Sequence, residues 1–328
     1  MSDKTRFAFV GLGRWSDMLA QGAKRSDRIE IAAGLSRTPE KMDAFAENFG
    51  GAPRGSFEEI LADEDIDAVI LTTPNSLHAS QAVAAARSGK HVFVEKPMAL
   101  TAADCRAMIA AAKEAGVVLA VGQNARRTAR FRKAGELIRE GAVGEVILAE
   151  GNISKDQGYR LTPELWRNSR EESPGGPLAS FTVHLADSMN HLVGPIRRIS
   201  AFVSKVCGPA APDDVMTAAV EFESGALGYL GGTMLTPSRN FFQVHGTEGV
   251  VLLDEDGGTA SYKKKGAESF ESIPMPGAAE QVADSIAEQM DEFAACIQEG
   301  GRPEVAGEEG MAAVAVIEAI VRSAEGGG

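Results

Sequence analysis

The chain has 328 residues, a length that favours two domains over one. Its 33 basic and 46 acidic residues give a formal net charge of −13, which argues against a nucleic-acid-binding surface, and no apolar run approaches a membrane span. The amino terminus lacks a signal-peptide apolar core, and the three cysteines are isolated and without metal-ligand spacing. We therefore expect a reduced, cytoplasmic protein.

A glycine loop follows the first predicted strand. Residues 7–10 are apolar, and Gly11-Leu12-Gly13-Arg14-Trp15-Ser16 lies between them and a helix predicted to end near Ser26. Glycine at 11 allows a tight turn, glycine at 13 lets the backbone approach a pyrophosphate, and the helix-start amides face that anion. Ser16 takes the third glycine position, where a small side chain packs helix on strand. The loop predicts dinucleotide binding.

The end of the second predicted strand, residues 29–35, bears on the choice of nucleotide. A dinucleotide fold usually has an acid here for the ribose 2′-hydroxyl, but the first acid in this sequence is Glu40. Ser36, Arg37 and Lys41 offer a hydroxyl and two cations that would hold a 2′-phosphate. We therefore expect NADP, with NAD possible. The alternative is that Arg37 and Lys41 begin a solvent-facing helix.

Two further strands end in polar loops. Residues 67–72 lead into Thr73-Pro74-Asn75-Ser76-Leu77-His78, where Asn75 is predicted to cap a helix and His78 lies in its first turn. Residues 117–121 lead into Gly122-Gln123-Asn124. A buried structural histidine is the alternative interpretation of His78. Because parallel strands bring their carboxyl ends to one edge, these loops are expected on the ligand side of the sheet.

Between these strands lies Gly89-Lys90-His91-Val92-Phe93-Val94-Glu95-Lys96-Pro97. Its apolar residues predict a strand covered on both faces, with Glu95 and Lys96 at the carboxyl end. A lysine there can donate to a substrate oxygen. The alternative is a surface ion pair at a strand end.

Three motifs carry a family resemblance: the glycine loop at residues 11–13, the polar loop at 73–78 and the segment at 89–97. In this order and spacing, they resemble the glucose–fructose oxidoreductase/inositol dehydrogenase/rhizopine-catabolism oxidoreductase family, and the resemblance covers essentially the whole chain. The resemblance implies an α/β protein with an amino-terminal Rossmann domain and a carboxy-terminal α/β domain that has a large, mostly antiparallel open sheet. We accordingly expect a Rossmann domain at residues 1–124 and a substrate-binding and oligomerisation domain at 125–328, with its last helices packing back on the body.

By position, the resemblance brings Glu95 to the nicotinamide ribose and Lys96 to both cofactor and substrate, with a lysine–proline bond that is often cis. The predicted cofactor-binding residues are Gly11, Gly13, Arg14, Trp15, Ser36, Arg37, Lys41, Thr73, Pro74, Asn75, His78, Glu95, Lys96, Asn124 and Trp166.

A predicted helix at residues 179–192 follows a glycine-rich loop. It carries Ser180, His184, Asp187 and His191 as one polar stripe. The family pattern has an aspartate four residues before the histidine, where this chain has Ser180. Serine cannot accept a proton near neutrality, so His184 and Lys96 would carry the chemistry, with Asp187 a candidate to orient His184. The predicted substrate-binding residues are Lys96, Arg167, Ser180, His184 and Asp187.

Two alternatives for this stripe stay open. His184, Asp187 and His191 could bind a metal ion, but nothing in the sequence nominates a fourth ligand, and we predict no metal. A buried polar network is the other alternative.

From Arg197 onward the sequence predicts strands at 197–206, 216–222, 226–233, 240–244 and 249–253, then helices at 278–299 and 308–324. A sheet with helices on one face leaves the other to be covered, so a homodimer or homotetramer is expected.

The sequence thus predicts an NADP(H)-preferring oxidoreductase that interconverts an alcohol and a carbonyl on a small sugar, cyclitol or derivative, with Lys96 and His184 as catalytic residues. A dihydrodiol-type dehydrogenase of the same family and a non-catalytic NAD(P)-binding regulator are the alternatives.

Overall fold

The computed structural model describes residues 4–162, 165–176, 178–207 and 213–327, apart from the side chain of Arg167. The chain forms two compact units. The first contains residues up to 124 together with Ala283–Met311, and the second contains Ala125–Val282 together with residues from 312 onward. The predicted boundary after residue 124 falls where the first unit passes to the second. Residues 283–311, which we assigned to the second domain from the sequence, pack in the first unit.

The first unit is built on a six-stranded parallel sheet of order β3-β2-β1-β4-β5-β6. Its strands are β1 (Thr5–Val10), β2 (Ile29–Leu35), β3 (Ala52–Pro53), β4 (Ala68–Leu71), β5 (His91–Glu95) and β6 (Leu119–Gly122). Its connecting helices are α1 (Arg14–Ala23), α2 (Pro39–Phe49), α3 (Phe57–Ala62), α4 (Asn75–Arg87) and α5 (Ala102–Ala115). This is the predicted Rossmann architecture, and the prediction is confirmed.

Local capping signals set several helix ends in this unit. Ser56 accepts a hydrogen bond from the Glu59 amide at the start of α3, and Thr101 accepts one from the Asp104 amide at the start of α5. The prediction that Asn75 caps α4 is wrong. Pro74 occupies the cap position with φ −54° and ψ 146°, and Asn75 is the first helical residue.

An aromatic cluster explains why a late segment of the chain joins the first unit. Phe293, on α8 (Ala278–Glu299), lies 5.4 Å from the Phe7 ring and 5.8 Å from the Phe93 ring between ring centroids. All three rings are at most 1% exposed. Burial of these rings stabilises the packing of α8 against the Rossmann sheet, and the local sequence of the helix gives no sign of this contact.

The second unit is built on an eight-stranded sheet of order β14-β13-β12-β11-β7-β10-β9-β8, in which only β7 and β10 pair in parallel. Its strands are β7 (Val146–Ser154), β8 (Ile196–Ser204), β9 (Val215–Phe222), β10 (Leu227–Thr233), β11 (Arg239–Gly246), β12 (Gly249–Asp254), β13 (Thr259–Lys264) and β14 (Glu271–Ile273). Helices α6 (Ala129–Arg139) and α7 (Ala179–Leu192) belong to the same unit, and α9 (Gly307–Glu325) ends in it.

The large, mostly antiparallel sheet is confirmed, as are the predicted strands from β8 to β12, to within two residues at each end. The strands β13 and β14 were not predicted, because their sequences are mostly polar and lack a clear alternating pattern. The core of this unit lies between the sheet and α7, where Leu185 and Met189 are at most 1% exposed. Within the described part of the chain, no helix combines the length and apolarity needed to cross a membrane.

Candidate functional site

The glycine loop of the first unit is shaped by close backbone packing. Gly11 has φ +93°, and a Cβ there would lie 2.8 Å from the Thr73 amide nitrogen and 2.9 Å from the Thr72 carbonyl oxygen. The Thr72 hydroxyl donates a 2.6 Å hydrogen bond to the Gly11 carbonyl. A Cβ on Gly13, in contrast, would meet nothing within 4 Å. The loop is therefore closed on its inner side at Gly11 and open at Gly13.

Helix α1 begins directly at this opening. Gly13 is its N-cap and provides no side-chain hydrogen bond to the first turn. Helix-start amides without a side-chain cap, together with the helix dipole, favour an anion. Ser16, at the third glycine position, is fully buried, as its predicted role in helix–strand packing requires.

A cavity of about 190 Å³ adjoins the loop between α1 and α2. Gly13, Arg14, Asp17, Lys41 and Asn48 are among its lining residues. The structure thus brings Arg14 and Lys41, two predicted cofactor residues, to one cavity. Asp17 adds a carboxylate and Asn48 an amide, neither of which the sequence analysis nominated.

The other two residues of the predicted 2′-phosphate site lie differently. Ser36 accepts a 3.2 Å hydrogen bond from the Thr38 amide, which shapes the turn before α2. Arg37 is exposed and does not line the cavity. Of the three residues proposed for nucleotide choice, Lys41 is the one that faces the cavity.

At the carboxyl end of β5, Glu95 is buried and Lys96 is half-buried. The Lys96–Pro97 peptide bond is cis, as the family resemblance implied. The Lys96 amide donates a 3.1 Å hydrogen bond to Glu95 Oε2, while Oε1 lies against Gly122 on the neighbouring strand, without a hydrogen-bond partner. Burial raises the pKa of the Glu95 carboxyl to about 7, against the opposing effect of the Lys96 ammonium.

Trp15 completes this buried corner. Its indole N–H interacts with the Glu95 carboxylate and lowers its pKa, although the geometry falls outside that of a full hydrogen bond. A carboxyl group, an indole N–H and an ammonium thus lie together at the strand ends. These groups are arranged to bind a polar ligand or to exchange a proton with one.

The loop after β4 is fixed by side-chain hydrogen bonds. The Thr73 hydroxyl donates to Gln81 at 2.6 Å, and Asn75 is buried. His78 is 1% exposed, with Nε2 3.0 Å from the Thr73 carbonyl oxygen and Nδ1 2.9 Å from that of Pro97. Its ring therefore lies inside the protein and joins two loops at the sheet edge.

Asn124, at the end of the Rossmann sheet, is also buried. Its Nδ2 donates a 3.0 Å hydrogen bond to the Ser285 hydroxyl at the start of the late segment. The side chain of this predicted cofactor residue therefore also holds Ala283–Met311 in the first unit.

These features fit a dinucleotide. The cradle at Gly13 admits a diphosphate, the start of α1 presents amides to it, and the buried oxygen of Glu95 is available for a ligand hydroxyl. The residues that would hold the group are Gly11, Gly13, Arg14, Trp15, Lys41 and Glu95.

In the second unit, α7 carries the predicted polar stripe. Ser180 and His184 are half-buried, His191 is exposed, and Asp187 is 1% exposed. Arg126 donates to both carboxylate oxygens of Asp187, at 2.8 and 2.5 Å. The stripe is therefore divided between an accessible part at Ser180 and His184 and a buried ion pair at Asp187.

Lys155 lies near the start of the same helix. Its Nζ is 4.6 Å from the centre of the Phe181 ring, and Phe181 directly follows Ser180 in the sequence. Burial lowers the pKa of the Lys155 ammonium, and the carboxylates of Glu255 and Asp256 oppose that shift. The sequence analysis did not nominate Lys155, since this residue lies outside the motifs singled out there.

Trp166 is half-buried in a short 3₁₀ turn, Trp166–Asn168. The predicted contribution of the Arg167 side chain lies outside the described residues. In the glycine-rich loop before α7, Gly175 and Gly176 have φ +78° and +83°. A Cβ on Gly176 would overlap the Asp213 backbone, so the tight turn depends on glycine. Among the residues described, no three His, Cys, Asp or Glu side chains are grouped to hold a metal ion.

Comparison with known proteins defines the family. Residues 5–123 match the family described as "Oxidoreductase family, NAD-binding Rossmann fold", and residues 131–252 match the GFO/IDH/MocA C-terminal domain. The chain is 32% identical to the 1,5-anhydro-D-fructose reductase of Ensifer adhaerens, over 98% of this chain and 97% of that protein. The chain belongs to the GFO/IDH/MocA oxidoreductase family.

Solved structures of this family share both units. A putative NADPH-dependent oxidoreductase from Desulfitobacterium hafniense is 29% identical and has a TM-score of 0.90, over 100% of this chain and 97% of that one. Levoglucosan dehydrogenase in complex with NADH and levoglucosan is 25% identical and has a TM-score of 0.91, over 99% and 98%. This GFO/IDH/MocA chain thus has an NAD(P)-binding Rossmann domain and the second domain of its family.

The structure adds residues to this site that sequence patterns did not nominate. Gly122 makes room for Glu95, Arg126 holds Asp187, and Asp17 and Asn48 line the cavity beside the glycine loop. The one available signal was the Arg126-Arg127 pair, two adjacent basic residues that follow Asn124 after a single alanine in a chain of acidic net charge.

Proposed function

We propose that this chain interconverts an alcohol and a carbonyl group on a small polyhydroxylated substrate, a sugar, cyclitol or derivative, with NADP favoured over NAD. The observation that carries the proposal is Lys96, which follows a buried carboxyl group at the carboxyl end of β5 in a sheet with an open glycine cradle. The family relatives named for action on 1,5-anhydro-D-fructose and levoglucosan support a sugar-like substrate.

The bound nicotinamide would supply or accept the hydride at C4. Lys96 would donate a hydrogen bond to the substrate oxygen and polarise it, and Glu95 would bind a ribose hydroxyl of the cofactor. His184 would take the hydroxyl proton during oxidation and return it during reduction. Ser180 would bind a substrate hydroxyl, and Trp166 and Arg167 would border the substrate.

Asp187 would contribute indirectly. Because its carboxylate is buried in the pair with Arg126, we assign it the role of fixing the helix that carries His184.

The preference for NADP rests on charge. Lys41 and Arg14 line the cavity beside the glycine loop, where they outnumber the one lining carboxylate, Asp17, and β2 ends without an acid that would repel a 2′-phosphate. Arg37 and Ser36 would join them when nucleotide is bound.

Nucleotide titration tests this preference. NADPH and NADH are each titrated into a Trp166→Phe variant, so that Trp15 alone reports quenching. NADPH should bind more tightly than NADH. Lys41→Ala should weaken the binding of NADPH by about tenfold, because one charged hydrogen bond is lost, and should leave the affinity for NADH unchanged. Lys113→Ala, an exposed lysine on α5, is the charge-matched control. Tighter binding of NADH than of NADPH would overturn the preference for NADP. If neither nucleotide binds, the oxidoreductase proposal is overturned.

Turnover tests the catalytic roles. With a substrate found by screening polyols and ketoses, Lys96→Ala and His184→Ala should each lower kcat by about 10²–10⁴-fold. The Kd for NADPH should remain within about threefold, since cofactor contacts other than the lysine survive. Wild-type rates in either variant would remove that residue from the mechanism.

A non-catalytic NAD(P)-binding regulator is the second candidate, because Ser180 stands where the family pattern has an aspartate. It predicts nucleotide binding without turnover on any substrate of the screen. A dihydrodiol-type dehydrogenase would instead turn over aromatic dihydrodiols, which belong in the same screen.

We also propose a homodimer or homotetramer formed through the open face of the large sheet. Phe202 on β8 and Leu227 on β10 are 67% and 57% exposed, and the strand register puts both on the face opposite the helices. Sedimentation should show an oligomer that a Phe202→Lys, Leu227→Lys variant dissociates. A monomeric wild type would exclude it.

A further inference from the structure

The imidazole of His78 is held between two carbonyl oxygens. It lies in the first turn of α4 and is 1% exposed. Nδ1 is 2.9 Å from the Pro97 oxygen, and Nε2 is 3.0 Å from the Thr73 oxygen. Both distances are those of a normal N–H···O hydrogen bond.

Two carbonyl acceptors require two donors. A neutral imidazole has one N–H and one lone pair, so it can satisfy one carbonyl and must aim its lone pair at the other. Only the imidazolium donates from both nitrogens. A lone pair opposed to a buried carbonyl oxygen at this distance would cost both a hydrogen bond and electrostatic repulsion.

The two acceptors belong to the loops that carry the chemistry. The Thr73 carbonyl precedes Pro74 after β4, and the Pro97 carbonyl follows Lys96 after β5. Neither proline has an N–H, so backbone pairing between the loops is reduced just where His78 bridges them. The histidine supplies a side-chain cross-link in its place.

We propose that His78 is an imidazolium that cross-links these loops and thereby positions Lys96. The cross-link stands on the hydrogen-bond geometry alone, whereas the consequence for turnover rests on the proposed function. His78 is thus a positioning residue, although the sequence had suggested direct contact with the cofactor.

The ionisable groups around it are few. Strand β4 and the turn at residues 72–77 carry none. Three further elements pack against His78 or contain it. Helix α4 also carries Arg87, and β5 with its loop carries His91, Glu95 and Lys96. Helix α5 carries the charged residues Asp104, Arg106, Lys113 and Glu114 and the buried thiol of Cys105. Asp104 accepts from the Thr101 hydroxyl, and the other three charged groups of α5 are exposed.

Histidine ring ¹⁵N spectra of the nucleotide-free protein test the charge state. The five histidines are labelled, and the His78 signals are assigned as those lost in His78→Gln. Two protonated ring nitrogens should persist at about pH 8, where an ordinary histidine is neutral. One protonated and one bare nitrogen at that pH would overturn the imidazolium.

Kinetics test the positioning role separately. His78→Gln and His78→Ala should lower kcat by about 10²-fold through misplacement of Lys96, with the Kd for NADPH within about threefold. His245→Gln in the second unit is the control, and circular dichroism melts verify folding. Unchanged kcat in a folded His78→Ala protein would overturn the positioning role. If no substrate is found, the spectra still decide the cross-link, so its failure and that of the proposed function are distinguishable.

Discussion

Asp187 and Arg126 form a buried, two-pronged ion pair. The guanidinium Nε and one terminal nitrogen donate to the two carboxylate oxygens at 2.8 and 2.5 Å, and the side chains are 1% and 4% exposed. The other terminal nitrogen of Arg126 lies 3.3 Å from His191 Nδ1. The pair therefore links α7 to the segment that follows the Rossmann sheet, and it fixes the helix that carries His184.

Removing one partner of this pair should destabilise the fold strongly. Asp187→Ala leaves the Arg126 charge buried and uncompensated, and we expect a loss of about 3–5 kcal/mol in the free energy of unfolding. Urea denaturation measures it. Lys265→Ala removes the exposed pair with Glu248 and should cost less than about 1 kcal/mol. Equal midpoints for the two variants would show that the buried pair is dispensable.

Glu95 should give the nucleotide-free protein a distinctive pH dependence. Its pKa is about 7 in the folded state and near 4.5 when unfolded, so the folded state binds more protons between these values. The stabilising contribution of Glu95 to the free energy of unfolding is therefore complete below about pH 4.5. It is lost as the pH rises to about 7, and the loss amounts to about 3 kcal/mol at most. Glu95→Gln should remove this component from the stability profile measured by urea denaturation. A profile that matches the wild type would contradict the raised pKa.

The two loop glycines should respond differently to the same substitution. Gly13→Ala meets open space but places alanine at the N-cap of α1, so the free energy of unfolding should fall by no more than about 1 kcal/mol. The added methyl group should obstruct the diphosphate and weaken the binding of NADPH by about tenfold or more. Gly11→Ala places a Cβ against Thr72 and Thr73 at φ +93° and should cost about 1–3 kcal/mol of stability. Melting curves and nucleotide titrations on both variants check this. A Gly13→Ala protein with wild-type affinity would rule out the predicted diphosphate position.

Ser180 offers a gain-of-function test of the proposed chemistry. Ser180→Asp restores a proton-accepting group at the start of α7, where an acid also favours the helix dipole. We expect kcat to rise by about tenfold or more, with stability kept or slightly improved. Ser180→Asn has the same shape without the proton-accepting function and should not raise kcat. Equal rates for the two variants would mean that proton transfer at this position does not limit turnover.

Much of the architecture is determined by local signals in the sequence. The alternation of apolar strands and polar loops predicted the Rossmann sheet, and α7 and α8 were predicted with the bounds that the structure has. In the structure, Ser56 and Thr101 cap the helices that follow them. Caps and hydrophobic periodicity act over a few residues, and for this reason a single sequence reveals them. The glycine loop and the Glu95-Lys96-Pro97 element were likewise evident as motifs.

Only the tertiary structure decided which groups meet. Arg126 and Asp187 are 61 residues apart in the sequence, Phe7 and Phe293 still further, and no local pattern pairs them. Burial turned Glu95 from a surface charge into a carboxyl group with a raised pKa, and it enclosed His78 between two carbonyl groups. Desolvation and long-range packing depend on the whole fold, so they determine the electrostatics of the site after the sequence has determined its elements.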